Sequence, residues 1–150
     1  MLNDRIVCED IIQNVFLKFF ENMYRIRNTE RVEVWLFRTT RNEIFTFFRN
    51  KKIHFDQFGT YDTDEVELDS SIKLDEELER KELKELILGE LQKMAIEQRD
   101  VFLLKEYGGL SYKEISEVMN IDEELVKSRL YNTRQKLIDK FSKIFLNERQ

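Results

Sequence analysis

Five residues in the last third of the chain, Lys127, Ser128, Tyr131, Asn132 and Gln135, stand one, three or four positions apart. That spacing puts them on one face of an α-helix. Lys and Asn can read purine edges in a DNA major groove, Ser can donate or accept there, and Tyr can touch a thymine methyl or a phosphate. Arg129, Arg134 and Lys136 lie among them and suit phosphates. Val126, Leu130, Thr133 and Leu137 fall on the opposite, inner face. A basic amphipathic helix of this kind also serves to bind another protein, so the elements around it must decide.

Those elements span Gly109 to Leu137, GLSYKEISEVMNIDEELVKSRLYNTRQKL. The apolar sets Leu110, Ile115, Val118, Met119 and Leu125, Val126, Leu130, Leu137 mostly recur at helical spacing, so the stretch reads as two helices. Ser111 followed by Glu114 forms a capping-box pattern for the first helix, and Asp122 is a good N-cap for the second. A short helix, a tight turn and a longer basic helix are the parts of a helix-turn-helix. One feature opposes DNA binding: Glu123 and Glu124 open the second helix, where contact should begin. They can interact with the helix dipole or accept from cytosine, or they can weaken binding.

Arg31 to about Asn50 reads as another long helix, with Val32, Trp35, Leu36, Thr39 and Phe47 or Phe48 available for packing. On it Arg38, Arg41, Asn42 and Arg49 interleave with Trp35, Phe37, Phe45 and Phe48. Cations interleaved with aromatic rings suit unstacked single-stranded bases; the same aromatics can equally be core. Cys8–Met23 is helical in pattern, with Ile12, Val15, Phe16, Phe19, Phe20 and Met23 on one face and Asp10, Gln13, Asn14, Lys18 and Glu21 on the other. Glu9 and Asp10 are placed in its first turn. Leu74–Met94 is a third helix, packing through Leu78, Leu83, Leu86, Ile87, Leu91 and Met94. Glu97–Tyr107 is a fourth, packing through Val101, Leu104 and either Phe102 or Leu103, and Gly108-Gly109 ends it. His54–Ser71 has no sustained periodicity and many acids, so it reads as a flexible linker. It is either a solvated spacer or a DNA mimic that holds the basic helices off non-specific sites.

With no Pro and four Gly in 150 residues, the chain is expected to be all-α. Its net charge of −5 hides an uneven distribution. Residues 1–55 carry ten basic and seven acidic side chains, 56–90 four and thirteen, and 91–150 eleven and ten. Cations concentrate in Arg38–Lys52 and Lys127–Lys143, and such local patches set the footprint on nucleic acid. No apolar run approaches the ~20 residues of a membrane span. The single Cys8 leaves no internal disulfide and suits a reducing cytoplasm. One His and one Cys argue against a metal site, no cofactor motif is present, and no catalytic constellation stands out.

With these pieces placed, the chain resembles the two-domain bacterial sigma factors of the extracytoplasmic-function group, in the sigma-70 family. EDIIQNVFLKFF resembles the helix that docks on core RNA polymerase, VEVWLFRTTRNEIFTFFRNKK the segment that melts and reads the −10 element, and EQRDVFLLKEYGGLSYKEISEVMNIDEELVKSRLYNTRQKL the domain that reads the −35 element. The resemblance implies polymerase contacts at Asp10, Gln13, Asn14 and Leu17. It implies −10 contacts at Trp35, Arg38, Arg41 and Asn42, and −35 contacts at Lys127, Ser128, Arg129, Tyr131, Asn132 and Arg134. Tyr112 and Lys113 fall where backbone phosphates are met. Implied partners are core RNA polymerase, promoter DNA and an anti-sigma factor, with no membrane insertion.

Three departures accompany the resemblance. The family carries a further helix or so before the polymerase-binding one, so the first domain is expected to be incomplete, with part of a Phe-rich face uncovered. Ala95 stands where a Pro often opens the last domain, and Glu123-Glu124 replaces a small, uncharged pattern. The expected organisation is two small helical domains, 1–55 and 74–146, joined by a flexible acidic linker, 56–73. The expected function is promoter-directed transcription initiation without catalysis. A stand-alone helix-turn-helix regulator would have no use for Asp10–Leu17 and Trp35–Asn42. A polymerase- or anti-sigma-binding module that does not read DNA is the remaining alternative.

Overall fold

The computed structural model describes residues 4–58 and 75–148. Among them are six α-helices: α1 (Arg5–Asn22), α2 (Glu30–Phe58), α3 (Asp75–Gln92), α4 (Ile96–Glu106), α5 (Tyr112–Met119) and α6 (Glu123–Glu148). A 3-10 turn, Met23–Arg25, follows α1. The chain divides into two compact units, one within Met1–Asp69 and one within Ser70–Gln150. No helix among the described residues is long and apolar enough to cross a membrane.

In the first unit, α1 begins earlier than its apolar pattern indicates. Asp4 caps it, accepting from the Ile6 N–H at 2.9 Å and the Val7 N–H at 3.4 Å. Glu9 and Asp10 therefore lie beyond the first turn, and Glu9 pairs with Arg5 one turn back at 3.0 Å. The buried face also differs from the expected one. Ile11 and Val15 are buried, with Cys8 and Phe19 half-buried beside them, while Ile12, Phe16, Phe20 and Met23 are exposed. The reason is that α1 carries more apolar surface than one partner can cover. α2 packs along it, Val34 is buried, Phe19 meets Trp35 with ring centroids 6.0 Å apart, and Lys18 pairs with Glu43.

α2 runs past Asn50 to Phe58. Nothing between Lys51 and Phe58 breaks a helix; the next strong breaker in the sequence is Gly59. The expected linker 56–73 thus shares its first three residues with α2, and its remaining residues lie outside the described ones.

The second unit is built around α6, which packs along α4 and against α5. Its core is Leu91, Val101, Phe102, Leu104, Leu110, Ile115, Val118, Met119, Val126, Leu130 and Leu137. Each fully buried aliphatic side chain here contributes roughly 1.5–3 kcal/mol. Phe102, rather than Leu103, is the additional buried residue of α4. Leu125 is exposed, one position off the stripe that Val126 and Leu130 define. Among the described side chains of α3, Leu91 is fully buried, while Leu83 and Leu86 are exposed.

The turns explain the tight return from α4 to α5. Gly109 has φ +67°, a left-handed conformation open to glycine. A Cβ on Gly108 would lie 2.6 Å from the Leu104 carbonyl oxygen, so only glycine fits there as well. Ser111 and Glu114 form the capping box, with Glu114 N–H donating to Ser111 Oγ at 3.1 Å and Ser111 N–H to Glu114 Oε1 at 3.0 Å. Asn120 ends α5 in the left-handed region (φ 56°), and Asp122 Oδ1 accepts from the Leu125 N–H at 2.7 Å to start α6. Ala95 stands at the N-cap of α4 and offers no side-chain cap.

Candidate nucleic-acid interface

Burial along α6 has the period of an amphipathic helix. Val126, Leu130, Thr133 and Leu137 face inward, and Thr133 is fully buried. The Thr133 hydroxyl lies 2.8 Å from the Arg129 carbonyl and 3.2 Å from that of Gln98, and donates its one proton there. Buried polar groups need such partners, so the inner face is fixed and the outer face follows from it. Lys127, Ser128, Tyr131, Asn132 and Gln135 are all exposed on the outer side. They form the convergent polar surface that the spacing indicates.

The cations beside this surface fall into two flanks. On the α5 side, Arg134 is half-buried and its Nη2 donates to Glu106 Oε1 of α4 at 2.5 Å. That hydrogen bond pushes the guanidinium pKa above its ordinary value, against a smaller desolvation effect, and the neighbouring Tyr112 phenol adds to the rise. Tyr112, at the start of α5, is ringed by cations. Lys105 Nζ lies 4.8 Å and Lys127 Nζ 5.8 Å from its ring centroid. Lys105 also donates to the Leu110 carbonyl at 3.1 Å, which ties the end of α4 to the entry of α5. Lys113 is exposed beside them. At the α6 N-terminus, Glu124 reaches Lys127 at 3.4 Å.

On the other flank, Arg129 lines an open cleft of about 590 Å³ with Lys93, Gln98, Lys136 and Lys140. Glu90 and Glu97 also line it. Lys93 is held by Glu90 at 3.0 Å and Lys136 by the Gln98 carboxamide at 3.0 Å. The expected −35 set is therefore not one cluster. Lys127, Ser128, Tyr131 and Asn132 share the outer face, Arg134 belongs to the α5 flank and Arg129 to the cleft. Lys105 and Glu106 belong to the same neighbourhood but escape a reading of α5 and α6 alone. They precede the Gly108-Gly109 turn, and the turn is what folds them back against Tyr112 and Arg134.

In the first unit, Arg38 and Asn42 are exposed, and Trp35 is half-buried against Phe19, so its ring is partly core. The Arg41 guanidinium lies 4.5 Å from the Phe45 ring centroid, and Phe45 is exposed. Trp35, Arg38, Asn42, Phe45 and Arg49 follow one another at intervals of three or four along α2, so cations, an amide and aromatic edges share one side. On α1, Asp10, Gln13, Asn14 and Leu17 are all exposed and form a contiguous face away from Ile11 and Val15.

These features define an all-helical protein in which a helix-turn-helix presents a polar helix face between basic flanks. The amino-acid sequence carries the same architecture at family level. Residues 1–53 match the model for Sigma-70 region 2, and residues 84–137 match that for Sigma-70, region 4. RNA polymerase sigma factor SigZ of Bacillus subtilis is 30% identical over 91% of this chain and 73% of its own length. ECF RNA polymerase sigma factor SigM of the same organism is 28% identical over 91% of this chain and 81% of its own. The fold is also that of the sigma factor RpoE from Bartonella quintana, solved in complex with the anti-sigma factor NepR. The two superpose with a TM-score of 0.65 at 19% identity, over 89% of this chain and 80% of RpoE. The chain belongs to the sigma-70 family of RNA polymerase sigma factors, in the extracytoplasmic-function group.

Proposed function

We propose that this chain binds core RNA polymerase and directs it to promoters through two grips, one in each unit. The observation that carries the reading is the α6 surface. Lys127, Ser128, Tyr131, Asn132 and Gln135 are exposed together on the second helix of a helix-turn-helix, with cations on both sides. A helix in the major groove places its outer face on base edges and its flanks near the two phosphate strands. In this reading Lys127, Ser128, Tyr131 and Asn132 read a −35-type element. Tyr112, Lys113 and Arg129 serve its backbone, while Arg134 stands on the same flank held by Glu106. Asp10, Gln13, Asn14 and Leu17 contact polymerase, and Trp35, Arg38, Arg41 and Asn42 engage the opened −10-type strand.

In this reading one grip lies within 1–55 and the other within 74–146, with the acidic 56–73 between them. Two weak contacts on one promoter, linked by a tether, give joint binding stronger than either alone. The chain acts by recognition, with no chemistry of its own, in the cytoplasm where polymerase and DNA meet. An anti-sigma partner, as RpoE has in NepR, belongs to this proposal as a regulator of the same surfaces.

Run-off transcription with core polymerase and promoter fragments tests the reading. Transcripts that start only when this protein is present support it. Polymerase binding without initiation would mean an interaction module, and duplex binding without polymerase binding a stand-alone regulator.

A further inference from the structure

The α5-side flank holds a carboxylate where DNA would bring a phosphate. Arg134 is a cation of that flank, yet its Nη2 is bound to Glu106 Oε1 at 2.5 Å, with Arg134 and Glu106 side chains 43% and 41% exposed. The pair therefore sits at the surface, open to water and to a ligand. Glu106 is the last residue of α4, and the Gly108-Gly109 turn sets it beside Tyr112 and Arg134 rather than leaving it on a remote face. Tyr112 stands beside Arg134, and Lys105 and Lys127 stand over the Tyr112 ring. Lys127 in turn has Glu124 at 3.4 Å.

We infer that Glu106 is an affinity-setting residue. It neutralises Arg134 within the protein, so the α5 flank meets DNA with one fewer effective cation than its sequence carries. The inference rests on α6 being the duplex-reading helix. The physical argument is counterion release. Each phosphate neutralised by a protein cation adds about 0.9 to the slope of log K against log salt. A cation already neutralised by an intramolecular carboxylate releases no counterion when DNA arrives. The consequence is weak, shallow-sloped duplex binding by the last domain alone. Promoter binding then depends on the first unit and polymerase acting together with it, and non-specific duplex competes poorly.

The test measures binding of the full chain to a labelled duplex without promoter-like sequence, by fluorescence anisotropy across a salt series. Glu106→Gln keeps the shape and an acceptor oxygen while removing the charge. It should steepen the slope by about 0.9 and tighten binding on the order of five-fold near 0.15 M salt. The double variant Glu106→Gln/Arg134→Gln should return to the wild-type slope, because it removes a pair that contributes nothing to the DNA contact. Glu77→Gln on α3, which changes net charge equally, should leave the slope unchanged. Thermal unfolding of each variant identifies any loss of fold.

If Arg134 already meets phosphate in the wild type, with Glu106 merely aiming it, the double variant would show a slope shallower by about 0.9. Glu106→Gln would then give no steepening. Either result overturns the inference, as does equal tightening by Glu77→Gln. The measurement needs neither promoter nor polymerase, so it succeeds or fails separately from run-off transcription.

Discussion

At the scale of single residues, Asn132 and Arg134 differ in kind although both were expected on the DNA side. Asn132 is exposed on the outer face of α6 and its carboxamide can pair with an adenine edge. Arg134 is engaged by Glu106. Asn132→Ala should therefore change preference at one base position by ~1–3 kcal/mol, with other positions unaffected. Binding to a panel of single-base promoter variants checks this, and a uniform loss across the panel would mean a phosphate contact instead. Trp35 shows the same division within one side chain. Its contact with Phe19 secures the α1–α2 packing, and only the remaining part of the ring is available to a base.

At the scale of elements, α6 is set from both ends. Asp122 caps its start, and the fully buried Val126, Leu130 and Thr133 hold its inner face, so the outer face cannot rotate away. Glu123 and Glu124 occupy its first turn. Carboxylates there are worth typically 0.3–1 kcal/mol each to the helix through its dipole. They also stand where an approaching phosphate would be repelled. Glu123→Gln/Glu124→Gln should thus lower the thermal midpoint slightly while tightening duplex binding, and the two effects should separate in parallel unfolding and anisotropy measurements. Tightening without destabilisation would remove the dipole role, and destabilisation without tightening the repulsive one.

At the scale of the whole molecule, the proposed function gives the two units separate tasks. Gln13 is exposed on α1 in the first unit, and the helix-turn-helix lies in the second. Gln13→Ala should weaken binding to core polymerase several-fold in a pull-down or anisotropy titration. Duplex binding by the full chain should remain unchanged. Loss of both would point to misfolding of the first unit rather than to a lost contact. The matches to Sigma-70 region 2 over residues 1–53 and to Sigma-70, region 4 over 84–137 fall one in each unit.

Local signals made much of this legible. The Ser111–Glu114 capping box, the Asp122 cap and the Gly108-Gly109 turn act within a few residues, so their types and spacing were enough to set helix starts and stops. The α6 inner face was legible because a single stripe at helical period has one orientation that buries it. The buried face of α1 was not, because the helix is apolar on more than one side and periodicity cannot say which side a partner covers. Tertiary structure chose Ile11 and Val15 and left Phe16 and Phe20 exposed. It likewise decided that Glu106 finds Arg134 twenty-eight residues away, and that Arg129 turns into a cleft with Lys93 and Lys140. The amino-acid sequence alone determined the helix-turn-helix and its outward polar face, because those rest on near-neighbour spacing. Which cations beside that face are already neutralised depends on contacts between distant residues, and only the folded chain supplies them.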